Sequence, residues 1–140
     1  MNTQTQSLRT NSKQVKTAIQ QYIIDSIDTS NDIHSGATLK EQLEFICSEF
    51  KRVACYHYNW HHFKNSTQAM FIDWFKGMPS YFNISVYHNE ILEEIMPSFG
   101  LPLPSNKTEE QVIELFYALI YINFLDLCKK NNVNFYQYIR

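Results

Sequence analysis

Cys55, His57, His61 and His62 bring thiol and imidazole donors together near the middle of the chain, and that combination could bind zinc. His57 and His61 stand four residues apart, so a helix reaching that far would set both rings on one face. The close cysteine pair of a structural zinc site is missing, and no acid within the segment orients a ligating imidazole. A catalytic zinc would also need a donor from elsewhere, with His88 and Cys47 on offer. Aromatic packing and solvated imidazoles account for the cluster more simply, so neither a metal nor another cofactor is expected.

The same segment carries Lys51, Arg52 and Lys64 with no acid between them, interleaved with Tyr56, Tyr58, Trp60 and Phe63. Rings among cations can hold single-stranded nucleic acid by stacking and charge. Three fixed charges are few for that purpose, and the acidic stretch that follows repels a long polyanion, so nucleic acid is the alternative partner. Tyr56, Tyr58, Trp60, His61, His62 and Phe63 suit the anchors of a protein contact better. Carboxylates at Asp73, Glu90, Glu93, Glu94, Glu109, Glu110 and Glu114 could in principle supply an acid and base pair. Glu90 and Glu94 are instead like charges four apart, the pattern of a solvated face, and with Glu93 they offer a second, acidic contact surface. A phosphate-binding glycine loop, a nucleophile elbow and a His-Glu-x-x-His helix are all missing, and three glycines in the whole chain are too few for a phosphate cradle. No enzymatic activity is expected.

These residues sit in a chain of 140, the size of one domain. Its 44% hydrophobic and 19% charged residues place it among folded globular proteins rather than disordered ones. The aromatic share of 15% is high, and serves either a compact core or a recognition surface. Net charge is −2, distributed as 0 over residues 1–37, −2 over 38–50, +3 over 51–64, −6 over 65–126 and +3 over 127–140. An acidic middle is thus flanked by two basic pieces. Cys47, Cys55 and Cys128 are too few and too irregular for a disulfide framework, which favours a reducing compartment. With no signal-peptide pattern and no window read as a membrane span, the expectation is a soluble, cytoplasmic protein.

Hydrophobic spacing predicts an all-α bundle of about five helices. Residues 1–11 are polar and are expected to be a flexible tail ahead of a single domain at 12–140. Val15, Ala18, Ile19, Tyr22, Ile23 and Ile27 then recur on one helical face. Thr38 and Glu41 form a capping box that opens a second helix, with Leu39, Leu43, Ile46, Phe50 and Val53 as its buried stripe. A third helix starts at Asn65 or Ser66, buries Met70, Phe71, Trp74 and Phe75, and stops at Gly77 in a left-handed conformation before Pro79. A fourth falls within 80–96, capped near Ser85, although 83–87 could equally be extended. Pro97, Gly100, Pro102 and Pro104 read as a stiff linker. The strongest element begins with a capping box at Thr108 and Gln111 and runs through Val112, Leu115, Phe116, Leu119, Ile120, Ile122, Asn123 and Leu127 to Lys130. Apolar residues on several of its faces mark it as the central helix, and Asn131 and Asn132 stop it. The tail 133–140 reads as either a short strand or a last helical turn.

The segments Asp73-Trp74-Phe75-Lys76-Gly77-Met78-Pro79-Ser80, Tyr87-His88-Asn89-Glu90-Ile91-Leu92-Glu93, Gly100-Leu101-Pro102 and Thr108-Glu109-Glu110-Gln111 carry a resemblance. Over about residues 45 to 128 the chain resembles a group of uncharacterised small proteins of bacterial plasmids and phages, through an Asp-Trp-x-x-Gly-x-Pro-Ser helix stop. The resemblance implies an accessory product of a mobile element and transfers no functional residue. The expected function is therefore a non-catalytic protein-binding module, acting as monomer or homodimer, that binds and inhibits a host or defence protein.

Overall fold

A computed structural model describes residues 2–27, 37–57, 67–77, 82–102 and 105–138, with the backbone alone for 2–12 and 54–57. The fold is all-α, as expected: five helices of two turns or more and one short turn among the described residues. They are α1 (Asn2–Ser26), α2 (Leu39–His57), α3 (Thr67–Lys76), α4 (residues 88–98), α5 (Glu109–Lys130) and α6 (Phe135–Tyr138). The only extended pairing among these residues is an isolated antiparallel bridge between Ile27 and Phe82.

The central helix is α5, and local chemistry fixes both its ends. Thr108 Oγ1 accepts the Gln111 N–H at 3.2 Å while Gln111 Oε1 accepts the Thr108 N–H at 2.9 Å, which satisfies two of the free donors at the start. At the other end Asn132 adopts φ 60°, and the N–H groups of Val133 and Asn132 return to the carbonyls of Cys128 (2.8 Å) and Lys129 (3.1 Å). This is a Schellman motif, with asparagine in the place glycine usually takes. Between the caps, Ile113, Phe116, Tyr117, Ile120, Tyr121, Phe124 and Cys128 are buried against the other helices. By length and composition α5 could also cross a membrane, contrary to the expectation that no window approaches a span. Over half of that apolar window, 56%, is nevertheless buried inside the fold, as in a core helix.

The aromatic surplus goes largely into this core. Phe71 on α3 has ring centroids of Phe50, Trp74, Phe75, Tyr121, Phe124 and Phe135 within 5.1–6.0 Å, so one ring joins four helices. Offset and edge-on ring pairs of this kind add about 0.5–1.5 kcal/mol each beyond area burial. Of the stripe expected on α2, Leu43, Ile46 and Phe50 are buried while Leu39 and Val53 are partly buried, and on α3 Met70, Phe71, Trp74 and Phe75 are all buried. On α1, Ile19 and Ile23 are buried, as is Ile27 just past its end, and α1 packs along α5.

Several boundaries differ from expectation. The backbone of residues 2–11 continues α1, so no element boundary falls at residue 12. No glycine or proline interrupts that stretch, and extending a helix already nucleated costs little. Gly77 is not left-handed; its N–H closes a tight turn onto the Trp74 carbonyl at 3.1 Å, and among the described residues the left-handed glycine is Gly100, with φ 75°. Pro97 is not in a linker but in the last turn of α4, directly after a π-helical turn, Ile91–Ile95. There the Met96 N–H reaches five residues back to Ile91, and Pro97 then removes the next donor from the ladder. The tail resolves into a helical turn at α6.

Candidate functional site

The Tyr58 to Lys64 stretch, with Trp60, His61, His62 and Phe63, lies outside the described residues, and so do the side chains of Cys55, Tyr56 and His57. Helix α2 is described as far as His57, and the shared face expected with His61 falls on residues outside the described ones. Cys47 is committed elsewhere: it is fully buried, and its Sγ lies 4.0 Å from that of Cys128. Its contact with Cys128 and its burial push the Cys47 thiol far up, so it stays protonated and is a poor metal donor. No group of three or more metal-ligating side chains occurs among the described residues. Lys51 and Arg52 are exposed, but the Arg52 guanidinium bonds Glu49 at 2.8 Å and 3.2 Å, which neutralises part of the proposed cationic strip.

The carboxylates do not converge. Asp73, Glu109, Glu110 and Glu114 are exposed on α3 and α5, and Glu90, Glu93 and Glu94 are exposed on α4. The three on α4 share a helix with Tyr87 at its N-cap, which is 72% exposed and the most exposed large apolar residue described. Beneath them Ile91, Ile95 and Met96 are buried, so packing holds the ridge in place. Ser85 fixes its near end by donating from Oγ to Glu90 (2.9 Å) and from its N–H to the Tyr22 hydroxyl (3.1 Å). Burial pushes the Tyr22 phenol up, more than the Ser85 bond draws it down. Beside the ridge lies an open cleft of about 460 Å³ bordered by Lys76, Asn83, Tyr87 and Glu90. The Lys76 ammonium sits 4.4 Å above the Tyr117 ring, a cation–π contact that holds a positive group at the cleft's edge.

A second surface, which the sequence reading missed, lies at the far end of α5. An open groove of about 760 Å³ runs between α5 and α6, with Ile122 and Tyr136 each 55% exposed along it. Ile122 was expected in the core. It stands seven residues before Lys129 and eleven after Gln111, so the helical period places it on the polar outer stripe. That spacing was the signal available.

Near the groove a polar knot ties α1 to α5. Gln20 is buried and donates from Nε2 to Asp126 Oδ2 (2.7 Å) and to Asn123 Oδ1 (3.3 Å), while its Oε1 accepts from Lys130 Nζ (2.9 Å). Lys16 and Lys130 lie 3.3 Å and 3.4 Å from the same Asp126 oxygen. Partial burial raises the Asp126 carboxyl, and the bonds from Gln20, Lys16 and Lys130 together outweigh it, so the group is held below the ordinary aspartate range. Comparison with known protein families, with curated proteins and with solved structures returns no match.

Proposed function

We propose that the chain is a non-catalytic protein-binding module, the accessory product of a mobile element, which works in the cytoplasm by binding and inhibiting a host or defence protein. The observation that carries the binding role is the α4 ridge, where a 72%-exposed tyrosine stands beside three exposed carboxylates on a firmly packed helix. An amphipathic ring with few rotors is a typical interface anchor, and carboxylates around it select a partner with a basic rim. The adjoining cleft receives a side chain of that partner. The mobile-element role rests on the sequence resemblance alone.

The test is affinity capture from cells of the source organism with the full chain, beside Tyr87→Ala and Glu90→Lys/Glu93→Lys variants. All three positions are exposed, so folding by circular dichroism should be unchanged. Loss of an anchoring tyrosine costs about 2 kcal/mol, or about thirtyfold in affinity. A partner held by the wild-type chain and lost by both variants supports the reading; undiminished capture by both refutes the ridge as its seat.

A further inference from the structure

We infer that the groove between α5 and α6 is a second docking site, one that takes an acidic amphipathic helix from another protein. It shares no lining residue with the cleft beside Tyr87, so it does not depend on the ridge. Its apolar surface comes from Ile122, Leu125, Phe135 and Tyr136, with Lys16 and Lys129 also lining it. Val133 and Phe135 are buried, and the turn ahead of them is closed by the Asn132 motif, so the trough is formed before anything binds. A helix-sided trough with spaced apolar positions suits the face of a helix carrying residues at i, i+3, i+4 and i+7.

Charge selects the occupant. Lys16 and Lys129 line the groove, Asp126 is the one carboxylate among its described lining residues, and Lys130 stands beside it, sharing that carboxylate with Lys16. Lys129 forms no ion pair among the described residues. Even after the roughly half negative charge of a helix C-terminus is allowed for, the excess is positive. A second copy docking groove to groove would bring lysine rims together. The chain's own acidic helix, α4, is no better a candidate, because its apolar stripe of Ile91, Ile95 and Met96 is already buried. A small ligand is also disfavoured, since such pockets enclose most of their occupant and this trough is open.

The test uses labelled synthetic peptides of about 18 residues, long enough to be helical, titrated by fluorescence anisotropy into the full chain. One has a leucine stripe flanked by glutamates, one the same stripe flanked by lysines, and one the glutamates with alanines in the stripe. The first should bind at least about tenfold more tightly than either other, with the preference weakening as salt rises. Ile122→Asp should lose that binding, and Lys129→Glu should shift the preference toward the lysine-flanked peptide, a reversal that damage to the fold cannot imitate. Equal affinity for the three peptides, or no binding of any, overturns the inference. So does a dimer in light scattering that Ile122→Asp dissociates, or single-stranded oligonucleotide binding that Lys129→Glu abolishes.

Discussion

Replacing Gln20 with alanine tests whether the polar knot between α1 and α5 stabilises the fold as a unit. The substitution removes a 2.7 Å bond to the Asp126 carboxylate, a 3.3 Å bond to buried Asn123 and a 2.9 Å bond from Lys130. Asp126 has a side chain 27% exposed and keeps both lysines, so its lost bond is worth about 1 kcal/mol after solvent screening. The Lys130 bond counts for almost nothing, because that side chain is 56% exposed. Asn123 matters more: at 5% exposure its Oδ1 loses this donor with little access to water, at a cost of about 1–2 kcal/mol. Lost burial of the Gln20 methylenes adds about 1 kcal/mol, while the better helix propensity and lower side-chain entropy of alanine return a similar amount. The net expectation is about 2 kcal/mol of destabilisation, or about 8 °C in Tm for a domain of this length. The assay is urea unfolding followed by circular dichroism, with Gln20→Leu, Asn123→Leu and the double variant alongside. Removing both partners leaves neither stranded, so the double variant should recover most of what each single one loses. Additive losses across the cycle, or a Gln20→Ala protein within about 0.5 kcal/mol of wild type, would refute the knot as a coupled unit.

Two further expectations concern backbone and pH. Alanine at Gly100, where φ is 75°, should cost about 1 kcal/mol in left-handed strain. At Gly77 the added carbon would lie 3.4 Å from the Trp74 carbonyl oxygen, an ordinary contact without positive φ, so stability there should stay within about 0.5 kcal/mol; paired urea midpoints check both. Asp126 has a carboxyl held below the ordinary aspartate range in the folded state, so its contribution is fully present above about pH 4 and lost as pH falls through the depressed value. Asp126→Asn should therefore be less stable than wild type near neutrality, and their unfolding midpoints should converge as acidification carries the carboxyl through its depressed value; a gap unchanged by acidification would contradict the assignment.

The legible parts of the fold rest on signals that act over one or two helical turns. Thr38 with Glu41 and Thr108 with Gln111 cap as their spacing predicts, since each box closes within four residues. The stripes of α2 and α3 were legible for the same reason. What was misplaced answers to distant partners. Ser85 reads locally as an N-cap, yet its N–H is taken by the hydroxyl of Tyr22, 63 residues away, and α4 starts only at His88. Gly77 reads as a left-handed stop, but the turn onto Trp74 closes without one. The Cys47–Cys128 contact joins residues 81 apart that no local pattern links.

Function is harder to read than fold because the two leave opposite traces in an apolar pattern. A stripe predicts burial, and a docking surface is an apolar position that folding leaves uncovered, so it shows only once the covered positions are known. Ile122 illustrates this: in a helix apolar on several faces it looked like one more core residue, and only the positions of Lys129 and Gln111 on the same stripe betray its direction. Glu90, Glu93 and Glu94 carry the converse lesson. Their exposure was foreseeable from charge alone, whereas the value of that face depends on Tyr87, a ring that the sequence pattern did not separate from the many that build the core. At both surfaces the discriminating quantity is apolar area left in water beside fixed charge, and such a combination persists at no gain to the folded chain itself.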